Sequence, residues 1–328
     1  MLSTLFSLAS PSGRNARLSI FIFHRVLPEL DPLFPGEPTA EHFDTLCRWV
    51  AKWFRVLPLA EAVQRLRRGD LPARAAAITF DDGYADNHDI AAPILRRHAL
   101  PATFFIASGF LDGGRMWNDT VIESVRRTPL HALELSDLLP AEHGAAALGT
   151  CLSVVSAADK RALLDQLLPR IKYLPPARRE AVVAAIAERA AAQLPEDLMM
   201  RSEQVKALHA AGMGIGAHTV THPILAQLDR SQMRREIGEG RDALASLVGE
   251  RIALFAYPNG KPGKDYNHQS IEVVRELGFD AAVSTAWGAA SGASDCHQLP
   301  RFTPWDRKGL RFAMRMWRNF QTPVALAA

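Results

Sequence analysis

Ala75-Ala76-Ala77-Ile78-Thr79-Phe80-Asp81-Asp82-Gly83 is a short apolar run ending on two adjacent carboxylates and a glycine. The run reads as a buried strand, and the Asp-Asp-Gly at its end as the turn that leaves it. A second stretch repeats the arrangement: Met213-Gly214-Ile215-Gly216-Ala217 leads into His218-Thr219-Val220-Thr221-His222. Both polar clusters follow strand-like runs, so both can project from one rim of a parallel sheet. Adjacent aspartates can divide their work, one binding a cation and the other taking a proton from water. Two imidazoles four residues apart would complete the ligand set; in a helical turn their Cβ atoms would lie roughly 5–6 Å apart. One Asp and two His leave a coordination position open, as a hydrolytic zinc site requires. Taken singly, Asp-Asp-Gly is more often a turn or a helix cap, and paired histidines more often two polar residues on one face. Their conjunction after two strand ends favours a metal.

The two motifs resemble, without mismatch, the Thr-Phe-Asp-Asp-Gly and His-Ser/Thr-x-x-His patterns of the NodB-homology polysaccharide deacetylases, the carbohydrate esterase family 4 type. The likeness runs from about Leu18 to Asp306. It implies an irregular (β/α)₇ barrel that removes acetyl groups from N-acetylated sugars. Carried over by position, it makes Asp81 the general base and Asp82, His218 and His222 the ligands of one divalent ion. Zinc is the first choice, with cobalt, nickel or manganese as alternatives. Such an ion lowers the pKa of a water from ~15.7 towards ~7, and Asp81 would accept the proton. Tyr257-Pro258-Asn259-Gly260 stands where the family has Arg-x-Pro-Tyr, so the Asn259 N–H is the expected donor to the oxyanion.

This chain also departs from the pattern. Relatives commonly supply the acid from a His after a Leu on the last strand, where this sequence has Leu299-Pro300-Arg301. A guanidinium does not readily release a proton, so Arg301 is expected to orient Asp81 or hold substrate. His24, after the first strand, takes the acid role because its pKa can be tuned about neutrality; its plainer reading is a capping or core histidine. His297 and His268 rank behind it. The family's motif-3 Arg is here Ala256, so support for the base must come from elsewhere.

Apolar runs predict seven strands, at 18–23, 76–80, 102–107, 213–217, 252–256, 281–285 and 298–302. In such barrels chemistry sits at the C-terminal strand ends. Tyr257 and Trp287 fall there as expected substrate contacts. Helical patterns run from Glu41 to Trp53, Leu59 to Arg68, Ile90 to His98 and Gln269 to Leu277, and from a cap at Ser231 to Leu247, with Gly249 after it. From about 115 to 200 the rhythm changes to a helical insertion with stripes at Leu163, Leu164, Leu167, Leu168, Ile171 and at Val182, Val183, Ile186, Ala190. Such stripes are usually core. Trp117 and Asp119, at the start of the insertion, are the better substrate contacts.

Over 328 residues the hydrophobic fraction of 48% supports one elaborated domain, residues 1–328, and a net charge of +3 gives no argument for nucleic acid. Neither a convincing signal peptide nor a membrane span is read, so a cytoplasmic location is expected. Three irregularly spaced cysteines suggest no disulfide framework or Cys-based metal site. Near the end, Leu310, Ala313, Met314 and Trp317 fall at i, i+3, i+4, i+7 among Arg311, Arg315 and Arg318. This reads first as the last barrel helix covering the core, and second as a basic amphipathic helix, over 310–320, that contacts a membrane. The expected partner is an N-acetylated carbohydrate, and the oligomeric state is left open. Two other classes stay open: a related barrel hydrolysing a linear or cyclic non-sugar amide, and a non-catalytic carbohydrate-binding protein. Trp117, Trp287 and Trp305 favour a sugar, since flat rings stack on pyranose faces. An intact Asp81 favours catalysis, because binding alone needs no base.

Overall fold

Strand Ala75–Phe80 is flanked by strand Ser19–Phe23, in parallel register from Ser19 opposite Ala76 to Phe23 opposite Phe80. On its other side Phe80 lies opposite Phe104 of strand Thr103–Ile106. The parallel order then continues through Gly214–Ala217, Leu254–Ala256 and Ala281–Val283. The computed structural model describes residues 2–139 and 149–327; residues 140–148 of the expected insertion therefore lie outside the described residues.

The expected strand at 298–302 is corrected. Leu299 bridges Val283 and Phe302 bridges Phe21, both in parallel, but no continuous strand forms. Pro300 has no N–H to give to a ladder. The segment nevertheless links the last strand to the first: Leu299 N–H donates to Ala282 O (2.9 Å) and Phe302 N–H to Ile20 O (2.8 Å). This is the irregular closure of an α/β barrel. A two-residue strand, Arg55–Val56, pairs with Ala75 and Ala76; it is too short to have given a periodic signal.

Side chains alternate across a strand. Ala76, Ile78 and Phe80 join one buried cluster, in which Phe80 stacks on Phe23 and Phe104 at centroid distances of 5.3 and 5.0 Å. Ala75 and Ala77 join the other, with Ile20, Phe105, Val283 and Leu299. Thr79 and Asp81 continue the parity of Ala75 and Ala77, and Arg301 that of Leu299. Asp81 and Arg301 therefore belong to one face before any side-chain contact is considered.

Helices Ala40–Trp53, Leu59–Arg68 and His268–Glu276 lie close to the predicted spans. Helix Arg230–Val248 is capped by Asp229, not Ser231: the Asp229 side chain accepts from Gln232 N–H, and Gln232 reciprocates. Over Asn87–Ala91 the predicted helix is a π-type turn, continuing as Ala92–Arg97. The last helix, Gly309–Asn319, corrects the core reading of its stripe. Phe312, Ala313 and Met316 turn inward, whereas Leu310, Met314 and Trp317 are 69%, 64% and 41% exposed. The aromatic Phe312 packs against Trp53 (5.6 Å) and Phe21 (6.0 Å), and that contact selects the buried face.

The chain divides into two compact units. Met1–Glu29, Gly36–Asp112 and Met199–Ala328 form the first, which contains the whole parallel sheet and both motifs; Leu30–Pro35 and Gly113–Leu198 form the second. In the second, helices Trp117–Arg127, Ala157–Lys172 and Pro176–Ala190 bury Val121, Leu164, Leu167, Ile171, Val183 and Ile186 against one another. The stripes at 163–171 and 182–190 thus make a core of their own.

Candidate metal centre

Strand Ala75–Phe80 ends in a three-residue turn. Gly83 N–H donates to Asp81 O (3.0 Å), with Asp82 at φ 77° and Gly83 at φ 91°. A non-glycine residue in the left-handed region costs of order 1–3 kcal/mol, so the surroundings must hold Asp82 there. Its carbonyl accepts Ala107 N–H (3.3 Å), and the Gly83 carbonyl accepts Met200 N–H (2.9 Å). Glycine suits the next position, because φ 91° favours it and a Cβ there would press on the Ile106 side chain at 3.1 Å. The turn brings the Asp82 carboxylate to His218 and His222, 3.3 and 3.4 Å from their Nε2 atoms.

The segment 218–222 is not the helical turn considered from spacing. Thr219 and His222 have φ of 66° and 54°, and the loop is clamped from a distant helix. The Glu236 carboxylate accepts Val220 N–H (3.1 Å), Thr221 N–H (2.9 Å) and the Thr221 hydroxyl (2.7 Å). His222 N–H donates to Thr219 Oγ1 (3.0 Å). Helix Arg230–Val248 can approach this closely because residue 240 is glycine; a Cβ there would lie 2.8 Å from the Thr219 carbonyl. The two imidazole rings end 4.8 Å apart.

Ligand atoms of Asp82, His218 and His222 all lie within 4.8 Å of one another. His218 Nδ1 donates to the Ala256 carbonyl (2.7 Å), which fixes the tautomer and turns the Nε2 lone pair inward, as metal-ligating histidines require. Asp82 Oδ1 is buried without a hydrogen-bond partner among the described residues. Three lone-pair donors thus converge around a buried orphan oxygen, and this set fits a divalent cation. The electrostatics agree. Burial opposes the charge on Asp82, but His218, His222 and His24 outweigh it and hold its carboxyl below the usual range. Burial lowers His222 to about 4, leaving its imidazole neutral and available to coordinate. Burial also acts against a proton on His218, yet Asp82 and Asp81 raise its pKa; the negative potential that would attract that proton would equally attract a cation.

Beside the cluster, Arg301 and Asp81 form a buried bidentate pair, with both bonds at 2.7 Å. Arg301 Nε also donates to Ser284 O (2.8 Å) and Nη1 to Thr79 Oγ1 (3.2 Å). Burial raises the Asp81 pKa, but the Arg301 charge and its hydrogen bonds, together with His218 and His24, outweigh it and the carboxyl sits below its ordinary value. Ala256 leaves the motif-3 position without a cation, and the last bridging segment supplies one.

His24 is exposed, within electrostatic reach of Asp81, Asp82 and His222. Its backbone is held by a framework that sequence reasoning missed. Asn87 donates to His24 O (2.8 Å) and to Asp86 Oδ1 (3.0 Å); Asp86 accepts Val26 N–H (3.1 Å) and pairs with Arg25 (2.8 Å). Glu37 was also missed. Leu27 bridges Thr39 in parallel, which sets Glu37 near His24 and Asp82, and burial raises its carboxyl. A single carboxylate in a Pro/Gly-rich loop carries no sequence signal.

Asn259 has φ 60°, and its N–H has no acceptor among the described residues, while its carbonyl accepts the Thr285 hydroxyl (2.9 Å). Tyr257 is fully buried, stacked on Tyr266 at 3.9 Å, with its hydroxyl donating to His297 O (3.0 Å). His297 Nε2 meets Phe279 O (3.0 Å), and His268 faces Glu272 (3.5 Å). Trp287 is 39% exposed and carries the Arg315 guanidinium 5.0 Å from its ring. Trp117 and Asp119 belong to the second unit, where Trp117 is half-buried beneath Arg179 (5.7 Å) and Asp119 is buried.

The polysaccharide deacetylase family matches residues 68–133 and 171–282. Over 290 residues the chain is 19% identical to the YxkH protein of Bacillus subtilis (strain 168), covering 88% of this chain and 71% of that one. Similar solved structures include the Streptococcus pyogenes deacetylase PplD in complex with acetate, at 19% identity, 88% and 92% coverage and TM-score 0.56. IcaB from Ammonifex degensii gives 18%, 95% and 99%, and 0.57. A de-N-acetylase from Aggregatibacter actinomycetemcomitans gives 14%, 92% and 99%, and 0.58. At these identities the solved structures speak for the fold.

Proposed function

The chain belongs to the polysaccharide deacetylase family, and from that premise we propose that it is a metal-dependent hydrolase removing N-acetyl groups from a carbohydrate, whether polysaccharide, oligosaccharide or lipid-linked glycan. The observation that carries the reading is the convergence of Asp82, His218 and His222 beside an Arg301-paired Asp81. A divalent cation held by those three residues, zinc before cobalt, nickel or manganese, would supply Lewis acidity towards the acetyl oxygen and lower the pKa of water.

Asp81 accepts the proton of the water that adds to the acetyl carbon. Its depressed pKa keeps it ionised at neutral pH, and each carboxylate oxygen retains a lone pair beyond the one taken by Arg301. The Asn259 N–H donates to the oxyanion as the new C–O bond forms. His24, with Glu37 near it, delivers a proton to the nitrogen as the C–N bond breaks, releasing acetate and the free amine. Trp287, 39% exposed, contacts the sugar. Tyr257 contributes by bracing the loop that carries Asn259.

No described helix is long and apolar enough to cross a membrane. We propose a cytoplasmic location, which three unpaired cysteines support. The test of function is acetate release across a panel of N-acetylated sugars, glycans and lipid-linked precursors, with formate followed in parallel, before and after chelation and zinc restoration. Chelation should abolish release and zinc restore it; release confined to non-sugar amides would overturn the reading.

A further inference from the structure

Helix Gly309–Asn319 carries two apolar stripes, and the core uses only one. Phe312, Ala313 and Met316 face inward, whereas Leu310, Met314 and Trp317, at i, i+4 and i+7, face out. Helix Leu2–Ala9 buries Phe6 and exposes Leu5 and Leu8, at 45% and 74%. Between the two helices runs an open groove of about 870 Å³.

Every ionisable side chain lining this groove is an arginine: Arg311, Arg315 and Arg318. From Arg307 to Ala328 the sequence has five basic residues and no carboxylate, and none precedes Glu29 from the N-terminal side. Arg315 is committed to Asp306 and to the ring of Trp305 at 4.2 Å; Arg311 lies 3.5 Å from the same buried Asp306 but is itself exposed, as is Arg318. A second copy docked face to face would oppose arginine with arginine. An apolar strip rimmed by three arginines, with the single buried Asp306 as their shared acid, instead fits the boundary between acyl chains and acidic headgroups.

We propose that this face, Leu5, Leu310, Met314 and Trp317 with Arg311 and Arg318, docks the protein onto an anionic lipid bilayer. The helices lie in the interface plane and neither crosses it. The Ala286 carbonyl accepts Arg301 N–H (2.8 Å), so Trp287 joins one wall of the groove to the segment that holds Asp81. The proposal does not depend on which acyl group is removed, and its test requires no turnover.

The test is co-sedimentation of the full chain with phosphatidylglycerol/phosphatidylcholine vesicles, against pure phosphatidylcholine vesicles. The protein should pellet with the anionic vesicles and release as salt rises. Arg311→Ala with Arg318→Ala should weaken partitioning roughly 30-fold, at about 1 kcal/mol per basic residue near an anionic surface. Met314→Ser with Trp317→Ser should weaken it at least ~10-fold, and Leu5→Ser, on the other helix, should weaken it independently. All these side chains are exposed, so unchanged circular dichroism and melting temperature are expected to separate lost binding from lost folding. Equal binding to both vesicle types, or unaltered binding by the folded variants, would overturn the proposal. So would a dimer in sedimentation equilibrium that Trp317→Ser converts to monomer without any vesicle binding.

Discussion

Arg301 grips Asp81 through two parallel hydrogen bonds of 2.7 Å, Nη1 to Oδ1 and Nη2 to Oδ2, and both side chains are almost fully buried. The pair connects the last bridging segment to the turn after strand Ala75–Phe80, so the base is oriented from the opposite end of the sheet order. Removing one partner of such a pair leaves a buried charge uncompensated.

Arg301→Met should therefore cost about 3–5 kcal/mol of stability in denaturant unfolding. It should also lower turnover, because Asp81 loses both its orientation and the charge that keeps it ionised. A variant of unchanged stability would show that the pair is not formed in solution.

Asp81→Asn preserves volume and much of the hydrogen bonding while removing the proton acceptor. Bound metal should remain at the wild-type level and turnover should fall roughly 10²–10⁴-fold. Metal analysis and acetate release on the same preparation measure both; retained turnover assigns the base elsewhere.

The Asp81 carboxyl titrates below its ordinary 3.8, since Arg301, His218 and His24 together outweigh burial. A depressed carboxyl contributes stability that is present above the unfolded value and is lost as pH falls through the folded one. For this pair the urea midpoint should stay level from about pH 7 to 5 and decline below 3.8. In Arg301→Met the uncompensated carboxyl should rise in pKa, and the acid decline should begin at higher pH.

Gly240→Ala would push a Cβ to 2.8 Å from the Thr219 carbonyl, displacing the loop that carries both histidines while leaving every ligand residue chemically unchanged. Zinc affinity should fall about 10–100-fold, the usual effect of disturbing the groups that orient ligands. Isothermal titration against the wild type measures it, and an unchanged Kd would show that the loop tolerates the shift.

Much of this was legible in sequence because chemistry and hydropathy share a short range. Asp81, Asp82, His218 and His222 each follow an apolar run, so a parallel sheet alone brings them to one rim. What was not legible depends on distant contacts. Thr219 and His222 take left-handed conformations because Glu236 clamps the loop from a separate helix, so the spacing of the histidines suggested a helical turn that does not form. Residues 298–302 have the hydropathy of a strand, but Pro300 breaks the ladder. For helix Gly309–Asn319 periodicity found an apolar stripe without revealing which stripe the aromatic cluster around Phe312 would turn inward.

The central claim is that Asp82, His218 and His222 jointly hold one divalent ion. Zinc titration of the chelator-stripped chain, wild type beside His222→Ala, tests it most directly. The expected result is one ion per wild-type chain, with affinity falling as pH drops and protons compete for the imidazoles, and no comparable binding by the folded variant. A wild-type chain that binds no zinc, or a His222→Ala chain that binds it as tightly, would contradict the claim.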